Sequence, residues 1–158
     1  RFIPSLISLA LLAGILLITR RPKDMVFLST ATMLGAIANW GLKEIITRPR
    51  PSQFLVDMLH NSETWAFPSG HSMHITIFLG MLMFFAPKYF QSRVVQCAIL
   101  SLLTGLIILT GLSRIYLGAH WASDILGGYA FGLVILIAFI RVYELWPWPM
   151  KGRKVESG

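Results

Sequence analysis

An all-α fold class, a polytopic transmembrane helical bundle, is predicted by three observations on this sequence. Of 158 residues, 55% are hydrophobic and only 13% charged, where a soluble domain carries roughly a quarter charged residues. Five long apolar stretches recur, at residues 2–19, 25–42, 72–86, 94–112 and 125–146. The basic residues between them fall unevenly on two sides. Backbone that crosses hydrocarbon must satisfy its own hydrogen bonds, so helices are expected rather than an open sheet.

Each span needs about 20 apolar residues, within a range of about 17–25. The stretches at 2–19, 25–42, 94–112 and 125–146 meet this, whereas 72–86 needs His71 or Lys88 at its ends to reach across. A signal peptide at 2–19 is rejected, because its strongest charges follow the apolar run and no small-residue cleavage site is present. A tight turn at 19–24 joins the first two spans. The longest connection, 43–68, carries Pro49, Pro51 and Pro68. Within it, 54–59 has the apolar bias of a short interfacial helix, read as a connector rather than a lid. Residues 147–158 form a basic tail, and the whole of 1–158 reads as one domain without internal repeats. Trp40, Trp65, Trp121, Trp146 and Trp148 stand near span ends, as an aromatic belt would place them. Gly128 and Gly132 form a small-xxx-small pair that permits close helix approach. Cys97, the single cysteine, lies in mid-span and is read as a small buried hydrophobe.

The net charge of +7 could suit nucleic acid, but its distribution argues otherwise. With the first stretch running outside to inside, Arg20, Arg21, Lys23, Lys88, Arg93, Arg141, Lys151, Arg153 and Lys154 share one face. Lys43, Arg48, Arg50 and Arg114, with Arg1, share the other. This is the positive-inside asymmetry of a membrane protein, and no basic element is interleaved with aromatics for nucleic acid. The 43–68 loop is then extracytoplasmic and the 147–158 tail cytoplasmic. Five spans are visible of an expected six, with one helix expected before Arg1 to restore a cytoplasmic start.

Three strings on the non-cytoplasmic face carry the chemistry: Lys43-x6-Arg50-Pro51, Pro68-Ser69-Gly70-His71, and Ser113-Arg114-x5-His120-x3-Asp124. Cations beside hydrocarbon are costly and need a partner, and a phosphate suits two guanidiniums, an ammonium and a helix N-terminus. His120 and Asp124, four apart at the start of a helix, share a face. The carboxylate can fix the imidazole tautomer and leave the other nitrogen to attack phosphorus, or the pair can simply cap the helix as an interfacial ion pair. Pro68-Ser69-Gly70 turns the chain into a helix whose unpaired amides favour an anion, with Gly70 allowing close approach, the Ser69 hydroxyl adding a donor, and His71 beside the leaving oxygen. Lys43, Arg50 and Arg114 come from separate segments and could converge on phosphoryl oxygens. Arg48 is read as facing solvent or headgroups.

These three strings resemble the signature of the type 2 phosphatidic acid phosphatase superfamily. The spans make the chain similar to its bacterial membrane lipid-phosphatase branch, which includes phosphatidylglycerophosphatases and undecaprenyl-diphosphate phosphatases. The resemblance implies a cofactor-free, metal-independent lipid phosphate phosphatase of the bacterial cell membrane with its site on the extracytoplasmic face. His120 would be the nucleophile forming a phosphohistidine, Asp124 its orienting partner, and His71 the general acid and then base. Lys43, Arg50, Ser69, Gly70 and Arg114 would bind the phosphate. A membrane lipid phosphate is the expected partner, with phosphatidylglycerophosphate or undecaprenyl diphosphate ahead of phosphatidic acid or diacylglycerol diphosphate. Neither nucleic acid nor an obligate protein partner is expected. Competing readings are a lipid-phosphate or anion transporter, disfavoured because the charges cluster at one interface rather than mid-membrane, and a metal pair at His71 and His74. Two imidazoles without a thiolate or nearby carboxylate make a poor metal site.

Overall fold

The computed structural model describes residues 22–51 and 64–146. Within them the protein is four helices: α1 (Pro22–Ile46), α2 (Gly70–Tyr89), α3 (Arg93–Tyr116) and α4 (Ala122–Leu145). All four are long and apolar enough to cross a membrane, at about 1.5 Å of rise per residue, as befits a multi-pass membrane protein. Four spans are therefore described. The expected span at 2–19, the interfacial helix at 54–59 and the tail at 147–158, with Trp148, lie outside the described residues.

α2 is the central element and explains why its apolar stretch is short. Met73, Ile77 and Met81 are fully enclosed, and Phe78, Leu79 and Phe85 join them in the core with Phe27, Leu28 and Ala31 of α1 and Leu136 of α4. A helix sheathed by protein meets little lipid and tolerates Ser72 and Thr76 on its buried face. Thr76 returns its hydroxyl to the Ser72 carbonyl at 2.7 Å. Pro87 lies in the last turn, where it lacks the N–H that would bond the Met83 carbonyl, and the helix ends two residues later at Tyr89.

α3 meets the bundle along one narrow face, and Gly111 is its buried residue. Tyr129 of α4 lies against that glycine and donates its hydroxyl to the Ile107 carbonyl at 2.8 Å. Cys97 is exposed on the outer side of α3, which corrects the expectation of burial. In a bilayer an apolar residue can face lipid as readily as core, so hydrophobicity does not settle its side. Trp40, Trp65, Trp121 and Trp146 are all exposed near helix ends.

The helices alternate in direction, so the α1 C-terminus and α2 N-terminus share one end with the α3–α4 turn. Lys23, Lys88, Arg93 and Arg141 sit at the opposite end. There Asp24, nearly fully buried, accepts hydrogen bonds from Tyr89 (2.6 Å) and Tyr143 and pairs with Lys88 at 3.6 Å. Lys23 donates to the Tyr143 carbonyl at 2.9 Å and lies 4.1 Å from that ring's centre. This knot ties α1, α2 and α4 together.

Candidate active site

Three backbone segments are stitched together at the other end. The Ala66 N–H donates to the Arg48 carbonyl (2.8 Å), the Ser69 N–H to the Asp124 carbonyl (2.9 Å), and the Trp121 indole to the Pro49 carbonyl (3.3 Å). Two left-handed residues make the turns. Thr47, at φ 46°, ends α1 and redirects the chain toward Arg48 and Arg50. Gly118, at φ 64°, delivers Ala119 and His120 after α3, a conformation that glycine adopts without steric cost.

His120 and Asp124 are both buried, and the nearer carboxylate oxygen, Oδ2, stands 3.4 Å from the ring Nδ1. The same oxygen accepts the Trp121 backbone N–H at 2.9 Å, so Asp124 caps α4 while facing the imidazole. The residue that faces the ring and the residue that caps the helix are one. The other ring nitrogen, Nε2, faces the Arg50 guanidinium, 3.4 Å from Nη1. An anion attacked by Nε2 would lie against this guanidinium. His120 sits in the loop before α4, where its pKa is pushed from 6.5 down to about 3, mainly by burial and then by the charges of Arg50, Lys43 and His71. A hydrogen bond with the Ala66 backbone opposes the shift weakly. The imidazole is thus held neutral.

Neutral acceptors hold the cations. Arg50 donates to the carbonyls of Thr64 (2.8 Å) and Ala119 (2.7 Å) and to the Thr64 hydroxyl (3.0 Å). Lys43, in the last turn of α1, reaches the carbonyls of Trp65 and Ala66. Among the described residues, neither meets a carboxylate in a direct ion pair. His71 is exposed in the first turn of α2 and close enough to act electrostatically on His120.

Ser69 is fully buried, and its Oγ takes the Ser72 hydroxyl at 3.2 Å and the Ser72 amide at 3.5 Å, which makes it the cap of α2. Beside Gly70 the space that a side chain would need is filled by Asn39, whose Oδ1 would lie 2.9 Å from an added methyl. Asn39 is buried in α1 and donates to the Pro68 carbonyl at 3.3 Å, bracing the turn. Sequence reasoning missed it, although a lone amide within an apolar span was a visible signal. Arg114 stays at the end of α3 with its Nε on Ser113 Oγ at 3.2 Å, and no described hydrogen bond joins it to His120. Lys43, Arg50, His71, His120 and Asp124 are therefore brought together more closely than Arg114 is.

One expectation is corrected. Arg48 does not simply face outward: Nη1 pairs with Asp124 Oδ1 at 2.9 Å and bonds Ser123 Oγ at 2.7 Å. A sequence separation of 76 positions hid this contact. His74 stacks on Phe78 within α2, at 6.2 Å and 10°. Among the described residues, no three His, Cys, Asp or Glu side chains gather where a metal ion could be held.

Comparison with known proteins identifies a family and a fold. Residues 24–148 match the family model of the PAP2 superfamily. Phosphatidylglycerophosphatase B of Bacillus subtilis is 35% identical over 100 residues, covering 63% of this chain and 48% of the relative. A lipid A 1-phosphatase of Rhizobium johnstonii is 31% identical over 140 residues, covering 78% and 53%. An undecaprenyl-diphosphatase of Bacillus subtilis is 26% identical, covering 80% and 62%. The chain spans about half the length of the first two. The crystal structure of a transmembrane PAP2-type phosphatidylglycerolphosphate phosphatase from Bacillus subtilis superposes with TM-score 0.77 at 26% identity, covering 87% of this chain and 67% of that one.

Proposed function

Since this chain belongs to the PAP2 superfamily, we propose that it is a lipid phosphate phosphatase working through a phosphohistidine. The observation that carries the proposal is the alignment of Asp124, His120 and Arg50 along one imidazole, a carboxylate on Nδ1 and a guanidinium by Nε2. Nε2 attacks phosphorus, an N–P bond forms, and the P–O bond to the lipid breaks as His71 protonates the leaving oxygen. Arg50 and Lys43 stabilise the charge gathering on the phosphoryl oxygens. His71, now neutral, takes a proton from water, whose oxygen attacks phosphorus. The N–P bond breaks and inorganic phosphate leaves. The protein's own cations do the electrostatic work, so activity is expected to persist in EDTA.

A membrane substrate is supported by a second feature. A cavity of about 530 Å³ opens between α2, α3 and α4, lined by Thr76, Gly80, Ile108, Tyr129, Leu133 and Leu136. It begins about one and a half turns from the His120 end and runs down the bundle, with room for an acyl chain or part of a polyprenyl chain. The named activities of the relatives all act on phosphates of membrane lipids. Phosphatidylglycerophosphate and undecaprenyl diphosphate are the substrates proposed first, at the outer face of a bacterial cell membrane.

The test is phosphate release from these lipids by purified protein in detergent. His120→Ala should abolish turnover while the protein stays folded. Turnover at the wild-type rate would remove the covalent mechanism, and strict dependence on added Mg²⁺ would contradict the cationic site.

A further inference from the structure

We propose that Arg48 is a positioning residue that acts on His120 through Asp124 and does not bind the substrate phosphate. This inference rests on the phosphatase reading above. The carboxylate is divided between two duties. Oδ1 belongs to Arg48 at 2.9 Å, while Oδ2 takes the Trp121 amide at 2.9 Å and faces His120 Nδ1 at 3.4 Å. Arg48 and His120 thus engage different oxygens of a carboxylate with no exposed surface. Arg50 stands at the other ring nitrogen, so the order runs Arg48, Asp124, His120, Arg50.

Arg48 is itself held on several sides. Its carbonyl accepts from Ala66 (2.8 Å), Nη1 reaches Ser123 Oγ (2.7 Å), and its guanidinium lies 5.8 Å from the Trp121 ring centre. The preceding residue, Thr47, occupies the left-handed region at φ 46°, where a β-branched side chain is strained. Strain of this kind persists where surrounding contacts over-determine it, and here the strained turn brings Arg48 to Asp124. A guanidinium so placed fixes the plane of the buried carboxylate. Without it, Oδ1 would lack its charged partner and the carboxylate would be free to rotate. A group misplaced by about 1 Å can cost roughly 10²-fold in rate.

Four proteins, R48Q, D124N, R48Q/D124N and H120A, separate the possibilities by steady-state kinetics on one lipid phosphate. R48Q should lower kcat by roughly 10²-fold with KM nearly unchanged, and the double variant should be no slower than D124N alone. A rise in KM with kcat intact would make Arg48 a substrate ligand and overturn the proposal. So would a further 10²-fold loss in the double variant, or wild-type kinetics in R48Q. Activity surviving in H120A would instead sink the phosphohistidine reading, a separate failure. If R48Q does not fold, R48K keeps the charge on a shorter reach. Its smaller kcat loss must likewise vanish in the D124N background, and persistence there overturns the proposal.

Discussion

Gly128 of α4 is the point where a single methyl group should disturb the site without touching it. A Cβ added there would stand 2.7 Å from the Ser69 carbonyl oxygen, 2.9 Å from Ser72 Cβ and 3.2 Å from the Met73 backbone nitrogen. Carbon and carbonyl oxygen normally stay at least about 3.3 Å apart, so the shortfall is about 0.6 Å. Two of these neighbours are backbone atoms of the α2 N-terminus and cannot swing aside. The helices must therefore separate, stretching the 2.9 Å bond from the Ser69 amide to the Asp124 carbonyl. Overpacking of this kind costs about 1–3 kcal/mol, and half an ångström of misplacement between His71 and His120 should cost roughly tenfold in kcat. Gly128→Ala is best measured by thermal unfolding in detergent and by phosphate release, beside Gly105→Ala on α3. Gly105 has nothing within 4 Å of an added methyl, and its alanine should be neutral or stabilising by up to about 1 kcal/mol. Wild-type stability and turnover in Gly128→Ala would refute the close approach of α2 and α4.

Two other expectations follow from the site and the groove. His120 has a folded pKa below its unfolded value of 6.5, so the unfolded chain binds the extra proton between about pH 3 and 6.5. Stability should therefore fall as pH drops below 6.5, by up to about 1.4 kcal/mol per pH unit from this residue. His120→Asn should flatten the decline measured by thermal unfolding between pH 6.5 and 5, and an equal slope in both proteins would deny the buried neutral imidazole. Leu133→Trp should narrow the cavity between α3 and α4 from its open side. Displacing about two methylenes of a lipid chain costs about 1.6 kcal/mol, so the ratio of long-chain to short-chain kcat/KM should fall roughly tenfold. An unchanged ratio would place the chain elsewhere.

The spans were legible because lipid-facing helices advertise themselves: α3 and α4 reach a hydropathy of 2.2, against 1.2 for α2. The low value of α2 made it the weakest expectation, yet it is the core of the bundle. Protein neighbours rather than lipid cover it, so polar residues such as Ser72 and Thr76 are affordable there. The error on Cys97 has the same origin, since apolarity cannot say which side of a membrane helix a residue takes. His120 and Asp124 were readable from a spacing of four, although His120 lies in the loop just before α4 and not on the helix itself. Arg48 was not, because its contact depends on a left-handed Thr47 and on a partner from α4. Neither is encoded in the dipeptide that follows it. Arg114 shows the converse: a motif position whose described bond stays within its own helix end, at Ser113.

What distinguishes the two polar ends of the bundle is who satisfies their charges. At the Lys23 end, Asp24 receives two tyrosine hydroxyls and pairs with Lys88, so its charge is answered within the protein. At the other end, Lys43 and Arg50 are held by the carbonyls of Thr64, Trp65, Ala66 and Ala119, which fix position without cancelling charge. The buried carboxylate there, Asp124, is already engaged by Arg48. Placing half-buried cations on neutral acceptors leaves, among the described residues, a local positive excess that costs folding free energy in the absence of a ligand. A dianionic phosphoryl group would relieve that cost on binding, and in the proposed mechanism the neutral His120 beside Arg50 then reacts with it.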